Sequence, residues 1–273
     1  MDRMKLLAVL TFALAGCASN PSVTTQAPAL KLDYQTPVST PHNGKTIAIK
    51  SFQFLTNNAA QTGQADSLSF SIKLAGRSLP FSAVTRYQEN YEAPLQKAVQ
   101  SSLAQLLASR GFTATGPFKT VDEIPYSDKK GLYLVMLPRL NLNIEQRTIS
   151  TDCVHSVCTE TGVFTLSGDI LLRFVEPLSE QTLLTKASDL NGLHIRKNYV
   201  HQYPQETHKA VLHGMASNDS KAAALIDDAD KELVNAINEF YQHTMATMDS
   251  LISADELLAQ QAELEKIRGF KRR

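Results

Sequence analysis

Apolar residues along this chain fall into three kinds of run. The first is unbroken: Leu6-Leu7-Ala8-Val9-Leu10-Thr11-Phe12-Ala13-Leu14. It is shorter than the ~20 residues a helix needs to cross a bilayer. The second kind suits strands, which place alternate residues on one face. Apolar positions alternate at Lys45–Phe52, at Leu68, Phe70, Ile72 and Leu74, at Arg139–Ile149, and along Gly162–Val175. Leu132–Leu137 is an apolar run that reads as a buried strand passing through Pro138 into the next. Phe112–Thr115 and Leu183–His194 complete the predicted strands. The third kind repeats every three or four residues, as on one side of a helix. Leu95, Val99, Leu103, Leu106 and Leu107 predict a helix over 91–110, with Pro94 in its first turn and Gly111 placed to stop it. Ala222, Ile226, Ala229, Leu233, Ile237 and Phe240 predict a second over 220–243. Ser253-Ala254-Asp255-Glu256 is a capping-box sequence. It opens a last helix through Leu257, Leu264 and Ile267, ending in Arg268, Lys271, Arg272 and Arg273. Basic residues there complement the helix dipole.

The order strand, helix, strands, meander, helix, helix predicts an α+β fold. Its sheet is mostly antiparallel and covered on one face by amphipathic helices, with a C-terminal helix pair. No internal repeat stands out. The Gly162–Val175 strand and the strand before it should form an antiparallel pair. Residues 17–43 carry Pro21, Pro28, Pro37 and Pro41 among Ser, Thr, Gln and Asn, the composition of a flexible linker. The expected organisation is therefore a signal segment over 1–16, a linker over 17–43, and a single α+β domain over 44–273.

Composition adds limits. With 43% hydrophobic and 20% charged residues, the chain is a packed globule rather than a disordered one. Lys+Arg and Asp+Glu both number 27, so no net field draws nucleic acid, and none is expected as a partner. The N-terminus is more specific. Arg3 and Lys5, the apolar run, and Leu14-Ala15-Gly16-Cys17 make a lipoprotein signal, with Cys17 the lipidated residue. A diacylglycerol on the thiol plus an N-acyl chain such as palmitate exceeds the two signals that stable anchoring takes. Ala18-Ser19 follow, with no Asp after the cysteine, which resembles Gram-negative cargo for the outer membrane. The expected localisation is the outer membrane, with the membrane contacted through the lipid.

Cys153 and Cys158, outside the cytoplasm and this close, should form a disulfide. The small loop predicts about 2 kcal/mol of stabilisation. A metal reading through Cys153, His155 and Cys158 lacks a fourth ligand. No Gly-rich phosphate loop, Gly-x-Ser-x-Gly elbow or His-Glu-x-x-His sequence occurs. His194, His201, His208 and His213 fall close together, but Pro204 and Gly214 break any single helix there, so they read as polar loop residues. Asp227, Asp228 and Asp230 read as the solvated face of the second helix rather than an acid–base pair. The expectation is a non-enzyme without metal or cofactor.

The segment from Phe174 to Leu183, with Glu176-Pro177-Leu178-Ser179 inside it, is followed by Ser188-Asp189-Leu190. Together with Ala262–Lys266 and the basic Lys271-Arg272-Arg273 end, it resembles the neuraminyllactose-binding hemagglutinin family of bacterial lipoproteins. The resemblance spans roughly 130–273. It implies a non-catalytic surface adhesin recognising sialylated glycans. The family's binding stretch, Lys-Arg-Thr-Ile-Gln-Lys-Lys, is similar to Gln146-Arg147-Thr148-Ile149-Ser150, so Arg147, Thr148 and Ile149 carry over while the flanking lysines do not. Arg147 can pair bidentately with a sialate carboxylate, or serve as a solvated charge on a strand. The first half also resembles the small α/β domain of periplasmic assembly lipoproteins. That implies an envelope or flagellar-sheath-associated structural lipoprotein binding protein rather than glycan.

Overall fold

The computed structural model describes residues 28–36, 40–56, 82–154, 157–204 and 226–270. Cys17, the strand expected at 68–74, His155, His208, His213, Ala222 and Lys271–Arg273 lie outside the described residues. Seven strands form one sheet: β1 (Thr46–Lys50), β2 (Gln53–Thr56), β3 (Thr113–Phe118), β4 (Leu134–Val154), β5 (Val157–Val175), β6 (Thr182–Asp189) and β7 (Ile195–Pro204). The helices are α1 (Ala83–Arg86), α2 (Glu92–Ser109), α3 (Tyr126–Gly131), α4 (Ala229–Leu251), α5 (Ala254–Leu258) and α6 (Gln261–Phe270), with a π turn over Tyr87–Tyr91.

The long β4–β5 hairpin is the spine, paired from Val135↔Val175 out to Val154↔Val157. Along β4 lie β1 and then β2, both parallel to it, and β3 lies parallel to β1. Along β5 lie β6 and then β7, both antiparallel. The antiparallel ladders are the long ones, and the fold is α+β as the element order predicts. β4 continues through Pro138 because of where that residue falls. Met136 is the last residue paired with β1 and Arg139 the first paired with β2. Pro138 therefore sits opposite the gap between them, where its missing N–H breaks no parallel ladder.

Alternation sends Leu134, Met136, Leu140 and Leu142 of β4, with Phe164, Leu166, Ile170, Leu172 and Phe174 of β5, into one core under α2 and α4. The predicted stripe of α2 is fully buried at Leu95, Val99, Leu103, Leu106 and Leu107. A hydrogen bond of 2.7 Å between the Ser102 and Tyr241 hydroxyls joins the two helices. Arg110 closes their far ends by donating to the Ile252 carbonyl (2.9 Å) and pairing with Asp249. Leu30, Leu32 and Tyr34 also pack on this core. The Lys31 N–H donates to Asn238, and Gln242 donates to the Asp33 carbonyl. This part of the 17–43 stretch thus runs along α4. A second, smaller core of Ala48, Val121, Ile124, Leu132, Val135 and Val175 lies on the opposite face at one end of the sheet. Beyond it that face carries exposed and half-exposed residues such as Arg139, Arg147 and Arg173. Among the described residues no helix is long and apolar enough to cross a membrane.

Three boundaries differ from expectation. α4 begins at Ala229 and runs on to Leu251, and Ile226 is exposed rather than part of its stripe. The Gln202 N–H donates to the Ile226 carbonyl and the Asp228 N–H to the Val200 carbonyl, so this segment adds to the edge of β7 before the helix starts. The last helix is two, α5 and α6, and Ser253 caps the first by accepting from the Glu256 N–H. The strand expected over 183–194 ends at Asp189. A 3-10 turn over Asn191–Leu193 and His194, in left-handed conformation at φ 50°, turn the chain into β7.

Candidate functional site

The far half of the hairpin carries the candidate ligand residues. Cys153 and Cys158 face each other across β4 and β5 near the tip and are disulfide-bonded, as their spacing predicts. Arg147 is exposed and pairs with Val163 on the open face of the sheet. Thr148, one residue on, lies on the other side of the strand, and its hydroxyl donates to Glu160 Oε1 at 3.0 Å. Ile149 sits in a bulge, where the register jumps from Thr148↔Gly162 to Ser150↔Thr161, and is 62% exposed. The three share an exposed stretch of β4, yet their side chains do not meet in one pocket.

Beneath Thr148 lies a buried polar network. Tyr199 of β7 donates to Glu160 at 2.6 Å and accepts from Gln146 Nε2 at 2.9 Å. Gln146 Oε1 accepts from the Ala83 N–H, tying the hairpin to α1. The Tyr199 ring stacks on Phe164 with centroids 4.3 Å apart. It lies over Gly162, where a Cβ would come within 2.4 Å of the ring, so only glycine leaves it room. Burial, and then the bond to Glu160, push the Tyr199 hydroxyl up to about 12. Glu160 is 3% exposed. In the sequence Tyr199 stands out only as a neighbour of the histidines at 194–213, and Glu160 does not stand out. The available signal was the cross-strand alternation that brings Glu160 beside His201 and Gly162 opposite Tyr199.

His201 is not a loop residue. It lies in β7, is 8% exposed, and its Nδ1 is 3.0 Å from Asp227 Oδ1. Asp227, Asp228 and Asp230 are likewise not one solvated helix face. Asp228 accepts from the Val200 N–H at 2.6 Å, and Asp230 lies 3.7 Å from Arg86. The bridge that 226–228 make to β7 sets Asp227 and Asp228 against that strand before α4 begins, while Asp230 lies in the first turn of α4. Burial raises Asp227, but the hydrogen bond and charge of His201 outweigh it and leave the carboxyl below its ordinary value. Asp230 is raised, chiefly by burial. Among the described residues no three His, Cys, Asp or Glu side chains converge as a metal site.

The residues that carry the family resemblance have a structural task. Glu176 is fully buried. It accepts from the Leu178 N–H (2.9 Å), the Ser179 N–H (2.6 Å) and the Ser179 hydroxyl (2.8 Å). Arg268 of α6 pairs with it at 3.3 Å and donates to the Leu132 carbonyl at 2.8 Å. Burial alone would raise Glu176; the Ser179, Leu178 and Arg268 donors reverse this and lower it. The Glu-Pro-x-Ser turn thus fastens the last helix to the β5–β6 connection.

Comparison with known proteins agrees with this frame. In solved structures, the chain is similar to a neuraminyllactose-binding hemagglutinin homolog from Helicobacter pylori. The TM-score is 0.51 at 19% identity, over 87% of this chain and 100% of that one. A PelC dodecamer from Paraburkholderia phytofirmans aligns over 77% of this chain and 95% of that one, but at 9% identity and TM-score 0.21 it says nothing about the fold. No curated protein matches by sequence. The family model described as neuraminyllactose-binding hemagglutinin precursor matches residues 8–271. Covering nearly the whole sequence, that match places the chain in the neuraminyllactose-binding hemagglutinin family.

Proposed function

We propose that this protein is an outer-membrane lipoprotein, anchored through Cys17, whose folded domain binds sialylated glycans without catalysing a reaction. The observation that carries the reading is the family match over residues 8–271. The exposed hairpin supports it by presenting Arg147, whose guanidinium suits a carboxylate. The lipid anchor is supported by Leu14-Ala15-Gly16-Cys17 and by cysteine pairing. Of three cysteines, Cys153 and Cys158 are joined, which leaves Cys17 for acylation. Labelling with a palmitate analogue tests this: Cys17→Ala should abolish incorporation, and retained label would place the lipid elsewhere. For glycan binding, Arg147→Ala should weaken capture of sialylated glycans, while unchanged capture moves the site off Arg147.

A second reading, an envelope or flagellar-sheath-associated structural lipoprotein that binds protein, draws on the same tip. Ile149 and Val154 are more than 60% exposed there, and Thr148 is turned away from Arg147 toward Glu160. Exposed apolar side chains suit a protein contact better than a sugar acid. Crosslinking from position 149 or 154 in intact cells separates the readings. A single envelope protein captured there, with no glycan bound, favours the second.

A further inference from the structure

The open face of the sheet carries a second candidate site nearer the body of the fold. Lys50 at the end of β1, Arg139 on β4 and Arg173 on β5 line a cleft of about 240 Å³ floored by Leu137 and Leu171. Register brings them together. Arg173 pairs with Leu137 and Arg139 with Leu171, so the two arginines are diagonal neighbours, roughly 7–8 Å apart at the backbone. Lys50 follows Ile49, the partner of Met136, and so comes beside Leu137.

The charges are unbalanced. Two acids stand beside the cleft: Asp169, which accepts from Asn141 and lies 3.7 Å from Arg139, and Asp189 of β6, paired opposite Asp169. The Asp169 and Arg139 side chains are about two-fifths exposed, so water screens that pair. Among the described residues neither Lys50 nor Arg173 has an ion pair. In a chain with no net charge, three cations lining the cleft, with Asp169 and Asp189 beside it, are a local excess.

The geometry points to an acidic-sugar site: the sugar's carboxylate is held by Lys50, Arg139 and Arg173, and its hydroxyls donate to the part-exposed Asp169. An inorganic oxyanion such as phosphate fits less well, because it brings up to two negative charges toward the Asp169 carboxylate and has no carbon face to rest on Leu137 and Leu171. The cleft falls just below the roughly 300 Å³ at which drug-sized pockets begin, which suits one small ring. Leu137 and Leu171 offer the apolar floor on which a ring's carbon face rests. Arg147 lies eight residues from Arg139 along β4, about 26 Å away, so the two sites are separate. The choice of sugar rests on the glycan-binding reading above; the cation set does not.

Ligand-observed NMR titration of the full chain tests the site. The probes are the methyl glycosides of N-acetylneuraminic acid and glucuronic acid, the methyl ester of the former, and inorganic phosphate. At least one sugar acid should bind, with the uncharged ester and phosphate about fivefold weaker or worse. Lys50→Gln and Arg173→Gln should each weaken the acid about fivefold, the scale of one partly exposed charge contact. Both side chains are at the surface, and circular dichroism confirms that the variants fold. Arg147→Gln should leave this binding unchanged. The inference is overturned if neither sugar acid binds, if phosphate binds as well as the sugars, or if only Arg147→Gln weakens binding. Glucuronide bound at the cleft without any sialoside supports the site and counts against the sialylated-glycan reading. Sialoside binding untouched by Lys50→Gln and Arg173→Gln does the reverse.

Discussion

Glu176 shows how much one side chain can carry here. It is fully buried, and it draws three donors from its own turn and Arg268 from a helix 92 positions later. Glu176→Gln removes the charge on which those donors converge and should cost about 2–3 kcal/mol at pH 7. The pH dependence follows from its lowered carboxyl. The folded state holds this proton less tightly than the unfolded chain does. The stabilisation is therefore complete above the ordinary glutamate value near ~4.3 and is lost as pH falls through the folded value. Urea unfolding of both proteins at pH 7 and near pH 3 should show a gap that narrows in acid. Equal stability at pH 7 would contradict the role. The Glu-Pro-x-Ser motif was visible in the sequence, but its role was not, because the turn meets Arg268 only in the folded chain. For Arg147, Thr148 and Ile149, strand alternation already implied that neighbours point to opposite faces, while the bulge at Ile149 depends on register against β5.

At the scale of elements, the disulfide and the hairpin can be tested together. The Cys153–Cys158 link closes a small loop at the end of the β4–β5 ladder and should add about 2 kcal/mol. Replacing both cysteines by serine should lower stability by that amount. Hydrogen exchange should quicken at 150–154 and 157–161, whereas 134–142, buried beneath the helices, should stay protected. Protection lost evenly along the hairpin would show that the tip is not an independent end. The helix over 91–110 and the long hairpin were readable because their apolar periods are strong and local. The start of α4 was not. Ile226 falls on the helical stripe by spacing, yet its backbone bonds to Gln202, and only the presence of β7 decides between helix and edge. The settings of the acids at 227, 228 and 230 and of His201 are not legible in the sequence for the same reason: their partners lie on other elements.

Over the whole molecule, buried tyrosines are a shared feature. Burial raises Tyr34, Tyr87, Tyr91, Tyr133, Tyr199 and Tyr241, six of the eight. The folded state therefore keeps protons that the unfolded chain would release. Stability from these groups is full below about pH 10 and falls as pH rises toward their folded values. Phenolate absorbance should lag a model-compound titration and then rise together with loss of helical circular dichroism. Six tyrosines titrating near 10 in a folded protein would contradict this packing. Family membership makes the proposed glycan binding the central claim to test. The most direct measurement is a glycan array probed with the full-length chain in detergent, at low salt and again at high salt. The account predicts capture of sialylated glycans over their desialylated counterparts, weakened by salt. Equal capture of both sets, or no capture of sialylated glycans at high protein concentration, would contradict it.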